Sequence, residues 1–318
     1  MKDTLNEWGN AKIPFFFMID FAVKNFYISP FSTLDDDIFF VLDEFSHFFP
    51  KKPPKNPCHN TLLKKPVHFA RYVKAFDYVL ENMRNGNTYL LNLTFPTEIE
   101  IDCSLLTVFL NSTAKFRLYF KDKFVVFSPE RFIKIENNLI STFPMKGTIN
   151  ADIPNAQAKI LADEKEMAEH VMVVDLLRND LSIVAKKVRA TKFRYVEKIS
   201  AGNQGLLQVS SEISGVLENS WHGKIGDILW ALLPAGSISG APKKKTVEII
   251  QAVEGYDRGF FTGIFGYFDG KIVDSAVMIR FVEKQGDKFI YKSGGGITID
   301  SDAQSEYQEM LAKVYLPV

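Results

Sequence analysis

Residues Asp163 to Val184 constrain this chain most. They read Asp-Glu-Lys-Glu-Met-Ala-Glu-His-Val-Met-Val-Val-Asp-Leu-Leu-Arg-Asn-Asp-Leu-Ser-Ile-Val. The stretch predicts a helix, because Met167, Val171, Val174 and Leu177 recur at steps of three and four and build one apolar stripe. Glu166 and Glu169 are three residues apart and so share a face, one turn apart. A nearly unbroken apolar run then gives way to Asp175, Arg178, Asn179 and Asp180. A core helix with a capped, ion-paired end would account for that much. A second Glu-x-x-Glu adds to it. Glu306 and Glu309, followed by Lys313, lie on a last predicted helix, with Ser301 and Gln304 as a capping box. Carboxylates facing each other across a cavity repel, and a hard cation between them removes the repulsion. Mg²⁺ suits such a place, since it takes a few carboxylate oxygens with waters and the oxygens of an anionic substrate. Cys58 and Cys103 lack metal-ligand spacing and the histidines do not cluster, which disfavours zinc.

Composition excludes several classes. The 318 residues are 46% hydrophobic, ample for a large core. Lys plus Arg and Asp plus Glu are both 38, with no basic stripe interleaved with aromatics, so nucleic acid is not an expected partner. No apolar run approaches the roughly 20 residues that span a bilayer, and no N-terminal signal pattern is present. A cytoplasmic protein with no membrane partner is the expectation.

In chain order, residues 1 to 47 read as strands, around Phe15–Phe21, Asn25–Ile28 and Ile38–Leu42. Pro50 to Pro66 is a Lys/Pro-rich connector. A helix from about His68 to Met83 ends at Asn85-Gly86-Asn87. A strand through Thr88–Phe95, a short helix near Leu105–Leu110 and a meander from Phe116 to Phe143 follow. Ser128-Pro129-Glu130 places a carboxylate at a strand junction, a candidate general acid. In Pro144-Met145-Lys146-Gly147-Thr148 a lysine sits between an apolar strand and a glycine turn. Desolvation there would hold its amine below the usual value of about 10.4 and make it nucleophilic. An ordinary solvated loop lysine is the plainer alternative. Gly236 to Lys243 is a glycine-punctuated turn into a helix, without the Gly-Lys-Ser/Thr ending of a phosphate loop. Phe260–Tyr267 and Lys271–Glu283 read as strands paired through Asp269-Gly270. Gly294, Gly295 and Gly296 suggest a backbone nest for an anion, and Arg280 a carboxylate clamp. Strands and helices mix without βαβ regularity, which argues an α+β fold.

These residues resemble the chorismate-utilising enzymes. The matching stretches are Ser128–Phe132, Pro144–Thr148, Glu169–Asp180, Ser239-Gly-Ala-Pro-Lys243, Gly263–Tyr267 and Gly294–Lys313. The resemblance implies two large, mostly antiparallel sheets packed together with helices outside. It also implies one catalytic domain over residues 1–318 with a reduced N-terminal region (about 1–66). It assigns Mg²⁺ to Glu169 and Glu309 with Glu166 and Glu306 in support, and the general acid to Glu130. Substrate contacts fall to Thr148, Ser239, Arg280, Gly294, Gly295 and Gly296, with Lys313 near the metal.

Within the family, members that make anthranilate, isochorismate or salicylate carry alanine where this chain has Lys146. The aminodeoxychorismate-forming members carry lysine, which resembles a covalent nucleophile. The implied reaction converts chorismate and ammonia to 4-amino-4-deoxychorismate, on the route to 4-aminobenzoate and folate. Ammonia would come from a separate glutamine amidotransferase subunit, or from free ammonium. Departures from the family pattern are Leu90 where isochorismate-type members have a water-activating lysine, Phe261 for a tyrosine, Gln208 for a histidine tied to pyruvate loss, and no arginine after Lys-Gly-Thr. An anthranilate-forming component I, or a non-catalytic chorismate-binding relative, are the alternatives.

Overall fold

A computed structural model of the protein describes residues 1–47, 62–201 and 204–317. Most of the Lys/Pro connector, and Cys58 with it, lies outside these residues. Its last part does not remain a connector, because Leu63–Lys65 pairs with the strand Leu90–Glu100.

The long apolar runs become strands in two nine-stranded antiparallel sheets. In the first, the order is Met145–Asn150, Gln204–Val216, Leu139–Thr142, Arg131–Glu136, Val273–Val277, Ile264–Phe268, Phe15–Ile19 and Phe26–Pro30. Lys186–Ala201 also pairs with Gln204–Val216. In the second, the order is Gly240–Ala241, Leu90–Glu100, Lys288–Ile297, Phe281–Gln285, Phe124–Ser128, Phe116–Phe120, Ile38–Leu42 and Phe45–His47. The α+β expectation of two packed antiparallel sheets with helices outside is what the chain forms. Among the described residues no helix is long and apolar enough to cross a membrane.

Phe15-Phe-Phe-Met-Ile19 is buried at every position, because both faces of its sheet are covered. Phe16 and Met18 meet Phe40, Leu118 and Phe281 of the second sheet. Phe15, Phe17 and Ile19 join a larger core beneath the helices Phe69–Arg84, Ile225–Leu232 and Lys243–Glu254. A third cluster packs the helix Leu105–Asn111 and Val314 on the outer face of the second sheet.

Several expectations are corrected. A helix, Lys2–Asn10, precedes the first strand. Lys271–Glu283 is not one strand. Val273–Val277 belongs to the first sheet and Phe281–Gln285 to the second, with Arg280 left-handed (φ 53°) between them. The glycine run is not a nest. Gly294 to Gly296 lie within the strand Lys288–Ile297, in register with Thr94, Leu93 and Asn92.

One buried ion pair fastens these layers. Glu254, at the end of its helix, accepts hydrogen bonds from Thr94 N and Oγ1 (both 2.8 Å) and from Arg258 Nε and Nη2 (2.8 and 2.6 Å). Arg258 also donates to the carbonyls of Ile238 (3.1 Å) and Asn92 (2.6 Å). Arg258→Ala would strand the Glu254 carboxylate, and urea unfolding should show a loss of about 3–5 kcal/mol.

Candidate active site

The acidic helix runs Glu164–Ser182, capped by Asp163, whose carboxylate accepts from Glu166 N (2.9 Å). Its buried side is Val173, Val174, Leu176, Leu177 and Leu181, while Met167 and Val171 of the expected stripe are exposed. The last helix runs Ala303–Ala312 and is capped by Asp302, which accepts from Ser305 N (2.9 Å). Ser301 is not the cap. Its hydroxyl donates to Glu306 (2.9 Å).

Two clusters of the expected residues form. In the first, Lys146 on Met145–Asn150 donates to Glu169, and Lys313 pairs with Glu309 (2.6 Å) and donates to the Gly294 carbonyl (2.9 Å). Gly295 leaves room for this group. A Cβ there would stand 3.3 Å from Glu306 and 3.5 Å from the Lys313 amine. Gly147 has φ 82°, and a Cβ on it would stand 3.1 Å from the Glu166 carboxylate. Four carboxylates thus share a region with two lysine amines. Burial pushes Glu166 and Glu306 up, and their acidic neighbours Glu169 and Glu309 add to it. Glu309 is held below its usual range despite burial, because Lys313 faces it.

The Lys146 amine does not behave as the sequence suggests. Burial pushes it down, but the adjacent Glu169, with Glu166 and Glu309 beyond, more than reverses this and holds it above its ordinary value. Lys313 is depressed, by burial first and then by the charges of Arg280 and Lys146.

In the second cluster, Glu130 and Arg280 stand on neighbouring crossings between the sheets. The chain leaves the second sheet at Ser128 and enters the first at Arg131, and makes the reverse crossing between Val277 and Phe281. The Glu130 carbonyl accepts from Val277 N (3.1 Å). Burial holds the Glu130 carboxyl above the usual range, against the opposing pull of Ser237, which donates to it, and of Arg280. A carboxyl whose affinity for its proton is raised in this way is suited to the role of a general acid. Arg280 Nε is buried without a hydrogen-bond partner among the described residues, and the guanidinium lies in the field of Lys313, which connects the two clusters.

Three expected residues, Ser239, Thr148 and Gly296, join neither cluster. Ser239 is buried and donates to the Ala235 carbonyl (2.8 Å). Thr148 is exposed, in register with Gln208. Gly294 is packed against Leu93 and Thr94, where a Cβ would meet the Leu93 carbonyl at 2.2 Å, and Gly296 abuts Leu90. Leu90 and Phe261 are both buried apolar side chains.

Sequence reasoning missed Ser237 and His170. Ser237 lies in the short helix Gly236–Ser239, and Lys243, which opens the next helix, pairs with Asp180 of the acidic helix (3.1 Å). His170 is buried against Ser211 (2.7 Å), whose amide donates to the Pro144 carbonyl at the start of the lysine segment. Burial first, then Arg194 and Lys146, push its ring to about 4. A histidine directly before the apolar run Val171–Val174 was the available signal.

The donor chemistry of the first cluster, hard carboxylate oxygens in excess of the amines, fits Mg²⁺. Among the described residues no three such side chains converge closely enough to hold a metal as they stand.

The sequence model of the chorismate binding enzyme family matches residues 42–317. The chain belongs to that family. It is 49% identical to a PabA-like protein of Pasteurella multocida, over 98% of this chain and 97% of that one. Aminodeoxychorismate synthase component 1 of Salmonella typhimurium is 35% identical over 77% of this chain and 56% of its own length. Anthranilate synthase component 1 of Archaeoglobus fulgidus is 32% identical over 77% and 60%. The solved anthranilate synthase component I of Streptococcus pneumoniae superposes with a TM-score of 0.70, at 28% identity, over 82% of this chain and 60% of that one. The menaquinone-specific isochorismate synthase of Escherichia coli shares the fold (TM-score 0.72, 16% identity, 96% and 78% covered).

The raised Glu130 pKa has a thermodynamic sign. A folded-state pKa above the unfolded value stabilises fully below the unfolded value, and that stability is lost as pH rises through the folded one. Glu130→Gln has no such term. Chemical denaturation should therefore find the variant more stable relative to wild type at pH 8 than at pH 4.

Proposed function

We propose that this chorismate-binding chain is an aminodeoxychorismate synthase component I. On this reading it exchanges the C4 hydroxyl of chorismate for an amino group and releases water. The observation that carries the reading is Lys146, a lysine whose amine reaches the acidic helix at Glu169. Where the family makes anthranilate or isochorismate, alanine stands there and no side-chain nucleophile is available.

Lys146 attacks ring C2 as Glu130 delivers its proton to the departing C4 hydroxyl, and the ring double bond shifts between them. Ammonia then attacks C4 and expels the Lys146 amine from C2, with the enolpyruvyl group kept. Arg280 holds a substrate carboxylate through its in-plane N–H groups. Glu169 and Glu309, with Glu166 and Glu306 beside them, would hold Mg²⁺, which supplies positive charge against these carboxylates and so relieves the pairing that keeps Lys146 protonated. Leu90 cannot activate water, which disfavours hydroxylation at C2. Ammonia comes from a separate glutaminase subunit.

The competing reading is an anthranilate-forming component I, favoured by relatives of that name at 32–35% identity. Product analysis separates the two. With chorismate, Mg²⁺ and ammonium the chain should give 4-amino-4-deoxychorismate, and with glutamine in place of ammonium it should give nothing. Anthranilate as the main product would overturn the reading. With ammonia withheld, intact mass and peptide mapping should find a substrate adduct on Lys146, absent in Lys146→Ala. Wild type without adduct, together with a fully active Lys146→Ala, would remove Lys146 as nucleophile.

Arg280→Ala should weaken chorismate binding by roughly 1.5–3 kcal/mol, the worth of a charged hydrogen bond. Calorimetric titration at saturating Mg²⁺ reads this directly.

A further inference from the structure

Beyond the last helix, three consecutive side chains enter three environments. Lys313 lies in the carboxylate cluster. Val314 is fully buried in the core on the outer face of the second sheet. Tyr315 is 40% exposed, and the Arg280 guanidinium carbon lies 5.6 Å from its ring centroid. Val314 therefore anchors the segment and Tyr315 is free to serve Arg280.

Arg280 needs such a support. Its backbone is left-handed, on a crossing between the sheets, and its buried Nε has no hydrogen-bond partner among the described residues. A carboxylate neighbour would fix the guanidinium, but would consume its N–H donors and cancel its charge. An aromatic face attracts the cation from above and leaves the in-plane donors free.

We propose that Tyr315 is a positioning residue that holds Arg280 by its ring face, so that the guanidinium edge stays open to a ligand carboxylate. The proposal rests on the reading of Arg280 as the clamp for a substrate carboxylate. Tyr315 falls within the family match over residues 42–317, but the motif stretches that carry the resemblance end at Lys313 and assign it no role.

The test is calorimetric binding of chorismate, and of benzoate as a plain carboxylate probe. It uses full-length wild type, Tyr315→Phe, Tyr315→Leu, Tyr315→Ala and Arg280→Ala. Phe keeps the ring and should bind like wild type. Leu keeps apolar bulk without a π face. Leu and Ala should each weaken binding by roughly two- to fivefold, the range of an exposed cation–π contact. The thermal midpoint should be little changed, because Val314 keeps the anchor, and KM should rise with kcat nearly constant. If Arg280→Ala binds weakly while the Leu and Ala variants match wild type, the Tyr315 inference falls and the clamp survives. Equal weakening by Phe and Leu would trace the effect to the hydroxyl and also overturn it. If Arg280→Ala binds like wild type, or wild type binds neither ligand, both readings fall.

Discussion

The Glu254–Arg258 pair is the interaction on which the rest of the structure depends. It is buried, so its charges are tolerable only because hydrogen bonds surround them. Those bonds reach Thr94 and Asn92 on a strand of the second sheet, and Ile238 in the turn that carries Ser237. Ser237 in turn donates to Glu130. A helix end, a sheet strand and the hydroxyl facing the candidate acid are therefore fixed to one another through a single guanidinium. Phe21 covers the other side of it, with its ring centroid 4.4 Å from the guanidinium carbon.

Charge is arranged unevenly around the site. Burial pushes the Glu130 carboxyl above its usual range, while Lys313 holds that of Glu309 below it. Lys146 is caught between two opposed effects, and its carboxylate neighbours prevail over desolvation. The chemistry proposed for this lysine needs a deprotonated amine. The carboxylate cluster is thus both its protonating influence and the place where a divalent cation would remove that influence.

Much of this was legible in the sequence, and the misses have physical causes. The Glu-x-x-Glu pairs on two helices and the carboxylate at the Ser128–Arg131 junction were readable from spacing, whereas Lys146, expected in a glycine turn after a strand, lies within the strand Met145–Asn150. The face of the acidic helix was misjudged because Met167 and Val171 sit one step round from the packed side, where Val173 and Val174 both find the core. The cap shifted from Ser301 to Asp302 because the serine hydroxyl is engaged by Glu306. The apolar run from Lys271 to Glu283 concealed its break, since nothing at Arg280 announces a left-handed turn in the way a glycine would. The glycine run read as an anion nest because composition does not distinguish a loop from a strand whose side-chain space is needed by its neighbours. The pKa of Lys146 depended on which carboxylate folds against it, and one-dimensional spacing does not contain that contact.

The two crossings between the sheets make the spacing of the site a property of the sandwich. Glu130 is carried by the link from the second sheet to the first, and Arg280 by the link back. The gap between Glu130 and Arg280 is therefore gauged by the aromatic layer between the sheets, where Phe16, Phe40, Phe265 and Phe281 meet. These rings work as spacers in a caliper whose jaws are the two crossings. A methyl group added to or taken from that layer alters the opening of the jaws, so the spacing of Glu130 and Arg280 is set by a layer of side chains to which neither belongs.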